Sequence, residues 1–154
     1  PYGTEAMHVL RAEKGYIIVG QETDGSVTPV DLDMNWIVSK KKYDFIGKRA
    51  LIRSDTVKED RKQLVGILTV DPSIVLEEGS QLVEVETSLP MPMVGHITSS
   101  YYSPNLGRSI ALALVKSGTK KKGVKLIVPT VNTSVEVEIT NPVFIDPENE
   151  RLLA

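Results

Sequence analysis

The sequence predicts an α+β chain, in which a short helix-bearing N-terminal part precedes a small antiparallel β-structure. Three observations carry this expectation. Apolar residues keep a helical spacing only near the N-terminus, at Ala6, Met7, Val9 and Leu10. From about residue 62 the apolar period becomes two. About six short apolar runs follow, separated by Gly, Pro and Lys turns, which is the pattern of a small barrel or a folded-over sheet.

The elements are expected in this order. Residues 4–14 form a helix, with Thr4 as N-cap, Glu5 in the first turn where negative charge suits the dipole, and Lys14-Gly15 as the stop. Residues 16–19 (Tyr-Ile-Ile-Val) are β-rich and read as a short strand. Residues 20–33 are polar, with Asp24-Gly25 as the sharpest turn signal. Residues 35–38 are a second apolar patch, and three lysines follow at 40–42. Residues 45–52 read as a short helix capped by Asp44. The run 53–62 is charged and has no apolar period, so the boundary falls there and divides the chain into 1–55 and 56–154. Strands are expected at 64–70, 81–86, 94–99, 110–115, 124–128 and 135–139. In the last, Val135, Val137 and Ile139 share one face and Glu136 and Glu138 the other, as in a half-buried antiparallel strand.

Composition narrows the function. The 154 residues suffice for one domain, or one small domain and part of another. The net charge of -2 gives no global field for nucleic acid. Cysteine is absent, which excludes disulfides and thiolate chemistry and fits a reducing compartment. No apolar run approaches the roughly 20 residues that span a bilayer, and the start lacks a signal-peptide pattern. The expectation is therefore a cytoplasmic protein with no membrane and no nucleic-acid partner. The chain does not start with methionine, so it is expected to be a processed chain or a piece of a longer one.

Few residues offer chemistry. His8 and His96 are far apart and show no metal-ligand spacing, so no metal site is expected. Ser99, Ser100 and Ser103 lie near His96 but form no triad motif. Residues 20–25 lack the lysine of a phosphate loop and the Ser/Thr that follows it. The lysine runs at 40–42 and 120–122 read as solvated turns. Glu13 is different. It occupies the last helical turn, where a carboxylate opposes the dipole, so it either makes an exposed salt bridge beside Arg11 or serves a ligand. Tyr101 and Arg108 flank a turn made by Ser103, Pro104, Asn105 and Gly107. Proline lacks a donor and glycine accepts left-handed geometry, so the turn is sharp. Tyr101 and Arg108 either line a flat heterocycle or serve as barrel packing and a surface charge.

Two stretches resemble a known family. Residues 10–15 (Leu-Arg-Ala-Glu-Lys-Gly), Gly20 with Asp24, Thr28-Pro29, Trp36 and residues 44–51 are similar to the middle of glycine cleavage T-proteins (aminomethyltransferases). Residues 95–100 and 103–115 resemble that family's C-terminal barrel motif. Residues 2–11 and 146–152 look like the branch formed by alpha subunits of heterotetrameric sarcosine oxidases. The resemblance implies that 1–55 is the end of an α+β folate-binding domain and that 56–154 is a small antiparallel β-barrel. It also implies tetrahydrofolate as cofactor and a part in sarcosine demethylation to glycine and 5,10-methylenetetrahydrofolate. Flavins and NAD are expected elsewhere in the parent complex. Partners are expected to be the rest of the alpha subunit and the other oxidase subunits. The family's reactive aspartate has no match here, so the catalytic residues are expected upstream. Met7 stands where T-proteins usually carry a folate-tail arginine. Glu13, Tyr101 and Arg108 are the expected folate-binding residues; Arg151 lies near the place of a terminal arginine in some relatives. The alternatives are a T-protein or dimethylglycine-oxidising relative, and a non-catalytic barrel that docks subunits.

Overall fold

The computed structural model describes residues 1–85, 88–131 and 133–154, the side chain of Leu152 excepted. Helix α1 spans Thr4–Glu13. The strands are β1 (Lys62–Thr69), β2 (Gln81–Val83), β3 (Met93–Ser103), β4 (Arg108–Lys116), β5 (Lys125–Pro129) and β6 (Ser134–Thr140). A short helix α2 (Glu150–Leu153) ends the chain. The strands close into an antiparallel barrel in the order β1-β4-β3-β2-β5-β6. The fold-class expectation therefore holds, with the closed barrel rather than the folded-over sheet.

The alternation read from sequence becomes two apolar layers. Val65, Ile67, Ile97, Ala111, Ala113, Val115, Val137 and Ile139 fill the barrel interior. The alternate residues Leu64, Leu112 and Leu114 point outward. There Leu32, Ile17, Val27, Met34 and Phe144 cover them. The N-terminal segment is thus a second layer laid on the outside of β1 and β4. Arg61 fastens it: its guanidinium donates to both Asp31 carboxylate oxygens at 2.5–3.1 Å and to the Ser26 carbonyl at 2.6 Å. The Leu64 amide also donates to the Asp31 carbonyl at 2.7 Å.

β3 carries the decisive irregularity. Ile97 pairs with Ala113, but Ser99 pairs with the very next residue of β4, Leu112. Thr98 is the extra residue of a bulge, and its hydroxyl donates to the Leu112 carbonyl at 3.1 Å. The bulge reverses the phase of the strand. Ile97 faces the interior with Ala113, whereas Ser99 shares the outer face with Leu112. Tyr101 and Ser103 follow Ser99 at the strand period, so all three meet the N-terminal layer.

Several local expectations need correction. The N-cap of α1 is Gly3, without a side-chain cap, and Thr4 already lies inside the helix. The stop is as expected, with Gly15 at φ 67°. No strand forms at 16–19; a single bridge joins Val19 to Thr23. The Gln21 and Glu22 amides turn back to the Ile18 carbonyl, so the segment finds no partner strand. Residues 45–52 yield only a 3-10 turn at Lys48–Ile52, beginning after Gly47 rather than at Asp44. Ile46 and Ile52 there are exposed, so no apolar face is buried to support a longer helix. β2 is shorter than expected because a register shift between Leu82 and Val83 buries both residues and ends the alternation. Glu86, expected to close that strand, lies outside the described residues. β3 and β4 run several residues longer than expected, up to the turn at 104–107.

Candidate functional site

The outer face of β3 meets α1 in two polar clusters. In the first, Arg11 reaches Glu22 at 3.1 Å, Gln21 at 3.0 Å, Ser99 Oγ at 2.5 Å and Tyr101 Oη at 3.3 Å. The Ser99 hydroxyl donates to Glu22 at 2.5 Å, and the Ile18 amide donates to Glu22 at 2.7 Å. Arg11 and Glu22 are both buried. A buried pair is sustained only when its remaining lone pairs and protons are also bonded, and here nearly all are. Arg11 Nε is buried without a partner among the described residues. The Tyr101 hydroxyl continues the chain to Glu78 at 3.2 Å, and the ring lies 5.6 Å from the Arg11 guanidinium.

The second cluster surrounds Glu13, which is only 3% exposed. Its Oε1 accepts from Ser103 Oγ at 2.6 Å and Asn105 Nδ2 at 3.1 Å, and its Oε2 accepts from Asn105 Nδ2 at 2.9 Å. These donors offset the unfavourable position of a carboxylate at a helix C-terminus. Of the two roles expected for Glu13, the exposed salt bridge does not form among the described residues. Position 11 turns to Glu22 and position 13 turns to the β3–β4 turn.

Glu13 also lines an open cavity of about 720 Å³. Leu10, Tyr16, Leu106, Phe144 and Ile145 give it apolar walls, and Lys14, Asn105, Asp146 and Arg151 are the polar members. Lys14 is engaged, with Nζ donating to the Asp146 carbonyl at 2.6 Å and to Asn149 Oδ1 at 2.9 Å. An apolar cleft of that size with a few convergent polar groups suits a flat organic ligand.

The three sequence-predicted residues do not share this cavity. Glu13 is in its wall, whereas Tyr101 belongs to the Arg11 cluster. Arg108 faces Ser103 across the ladder, yet its guanidinium donates to the Thr69 carbonyl at 2.7 Å. It is half-buried rather than a surface charge. Sequence reasoning missed Arg11, Glu22, Ser103 and Asn105 as site members. The Ser-Pro-Asn turn was conspicuous, but its partner lies about 90 residues away in sequence and no period connects them.

A smaller cleft of about 230 Å³ holds His96 with Asp24, Arg61 and Lys62. Burial and then the neighbouring Lys62 charge hold the imidazole below its ordinary value, against an opposing pull from Asp24. His8 packs its ring 6.2 Å from that of Tyr101.

Comparison with known proteins places these features in a family. The model of the glycine cleavage T-protein C-terminal barrel domain matches residues 62–146, and that of the GCVT N-terminal domain matches 1–42. The chain belongs to the glycine cleavage T-protein family. It is 54% identical over 98% of its length to the sarcosine oxidase subunit alpha of a Corynebacterium species, and covers 16% of that protein. It is 40% identical over 99% of its length to the subunit alpha of Rhizobium meliloti, again covering 16%. With an aminomethyltransferase of Thermotoga neapolitana it shares 34% identity over 94% of its length and 37% of the relative's. The crystal structure of the glycine cleavage system aminomethyltransferase T from Bartonella henselae superposes with a TM-score of 0.77 at 22% identity, covering 91% of this chain and 38% of that one, a likeness of fold. The chain therefore spans a small part of each relative.

Proposed function

We propose that this chain is the C-terminal part of a sarcosine oxidase alpha subunit and forms one wall of a tetrahydrofolate site. The reaction would be sarcosine demethylation to glycine with transfer of the one-carbon unit to the folate. The observation that carries the reading is identity of 40–54% to such alpha subunits along nearly the whole chain. The cavity beside Glu13 supports it. Its apolar walls suit a flat pteridine and aminobenzoyl ring, and a carboxylate suits the N–H donors of an aminopyrimidine. Bound tetrahydrofolate would supply the nitrogens that take up the one-carbon unit. Glu13 would hold the heterocycle, and Leu10, Tyr16 and Phe144 would exclude water from it. Tyr101 and Arg108 would contribute from farther along β3 and β4.

In this reading residues 1–55 are the end of the folate-binding domain and 56–154 the barrel that closes it. Tyr2, Trp36, Ile37, Tyr43, Ile46 and Ile52 are exposed, which supports packing of this half against further polypeptide. The reactive acid, the flavins and NAD would reside in other parts of the parent complex, in the cytoplasm. No helix among the described residues is long and apolar enough to cross a membrane. Met7, at 43% exposure, has no charge to offer a folate tail, which favours the oxidase branch over a T-protein.

Anaerobic calorimetric titration of the intact alpha subunit with tetrahydrofolate tests the proposal. Glu13→Ala is expected to weaken binding strongly, and Tyr101→Ala and Arg108→Ala to weaken it less. Wild-type affinity in all three variants would remove the site.

A further inference from the structure

The Ser-Pro-Asn turn between β3 and β4 has a task that its sequence alone does not disclose. From it, Ser103 and Asn105 deliver every side-chain hydrogen bond that the Glu13 carboxylate receives among the described residues. The direction of each bond is fixed. Ser103 Oγ accepts the Leu106 amide at 3.1 Å, so its one proton is left for Glu13. Asn105 must present its NH2 side, because both Glu13 oxygens are acceptors. The backbone of Glu13 is held as well, its carbonyl accepting the Phe144 and Ile145 amides at 2.9 and 3.0 Å.

Glu13 is thus pinned by its own helix, by the β3–β4 turn and by the segment at 144–145. A carboxylate has about four lone-pair sites, and these contacts leave acceptor capacity on Oε2. Both Glu13 and Asn105 line the cavity. We infer that Ser103 and Asn105 are positioning residues of the ligand site: they lock the Glu13 carboxylate in one rotamer, so that Oε2 presents its remaining lone pair to a ring N–H of the bound heterocycle. The inference rests on the reading of Glu13 as a folate contact. It assigns the barrel a direct share in recognition, through a residue that belongs to the other layer.

A double-mutant cycle on the intact alpha subunit tests it, with tetrahydrofolate affinity measured anaerobically and thermal unfolding recorded for each variant. Asn105→Ala is expected to raise Kd about tenfold in the wild-type background, because a charge-assisted bond that orients the carboxylate is lost. In the Glu13→Gln background the same change is expected to leave Kd where Glu13→Gln has set it. A purely structural Asn105 would lower the melting temperature in both backgrounds and leave Kd unmoved, which overturns the inference. Equal weakening in both backgrounds also overturns it, since Asn105 then acts without Glu13; the folate reading survives either result if Glu13→Gln itself weakens binding. Wild-type affinity in Glu13→Gln sinks both together. Should Asn105→Ala fail to fold, Ser103→Ala, which removes the other donor, takes its place in the same cycle with the same expected outcomes.

Discussion

The barrel interior and the seam between α1 and β3 are both buried, yet they are built from opposite materials. The interior is aliphatic: Val65, Ile67, Ile97, Ala111, Ala113, Val137 and Ile139, with no charged side chain among the described members of that cluster. The seam holds Arg11, Glu22 and Ser99 in one hydrogen-bonded cluster and Glu13 and Ser103 in another, all buried. Apolar contact is non-directional, so the interior drives closure without dictating fine placement. Hydrogen-bonded charges are costly when misaligned, so the seam dictates where the helix lies.

Three experiments would break or sharpen this contrast. Glu22→Gln is expected to have the largest effect: it removes one member of the buried pair and leaves Arg11 uncompensated, at a cost of about 3–5 kcal/mol in urea unfolding. By contrast Ile139→Val, an equally buried but non-directional change, should cost only about 1 kcal/mol. A reversed order of these two would mean that the seam is not the more exacting region. Smaller still is the effect of pH. His96 is held below its ordinary 6.5, so the unfolded chain binds the proton more readily. Its contribution is complete above pH 6.5 and declines as pH falls toward the folded value. The stability profile of His96→Asn should lack that slope, and an unchanged slope would assign it to other groups. Asp31 behaves with the same sign at lower pH. Burial raises its pKa, but the Arg61 and Thr28 hydrogen bonds outweigh this and hold it below 3.8.

Much of the fold was legible because period-two alternation survives single substitutions. Val135, Val137 and Ile139 announce an inner face, and the structure puts all three inside. The N-terminal segment was less legible. Residues 16–19 have strand-forming side chains, but a strand needs a partner, and the carboxylate of Glu22 draws the Ile18 amide into a turn instead. Of the site, Glu13 stood out through its awkward place on the helix. Its donors did not, because Ser103 and Asn105 look like ordinary turn residues until the chain is folded. Arg11 and Glu22 were hidden for the same reason: they lie eleven positions apart, across the end of the helix and a run of turns, and only three-dimensional proximity reveals a pair.

The single supernumerary residue in β3 carries a lesson of arithmetic for anyone editing this chain. Thr98 is an odd residue that the strand absorbs without exchanging faces, since Ile97 keeps Ala113 as its partner and Ser99 keeps Leu112. A homologue lacking that one residue would present the same side chains to the helix, so counting by twos forward from Ile97 misassigns every side chain beyond it, whereas counting back from the turn at 104–107 does not.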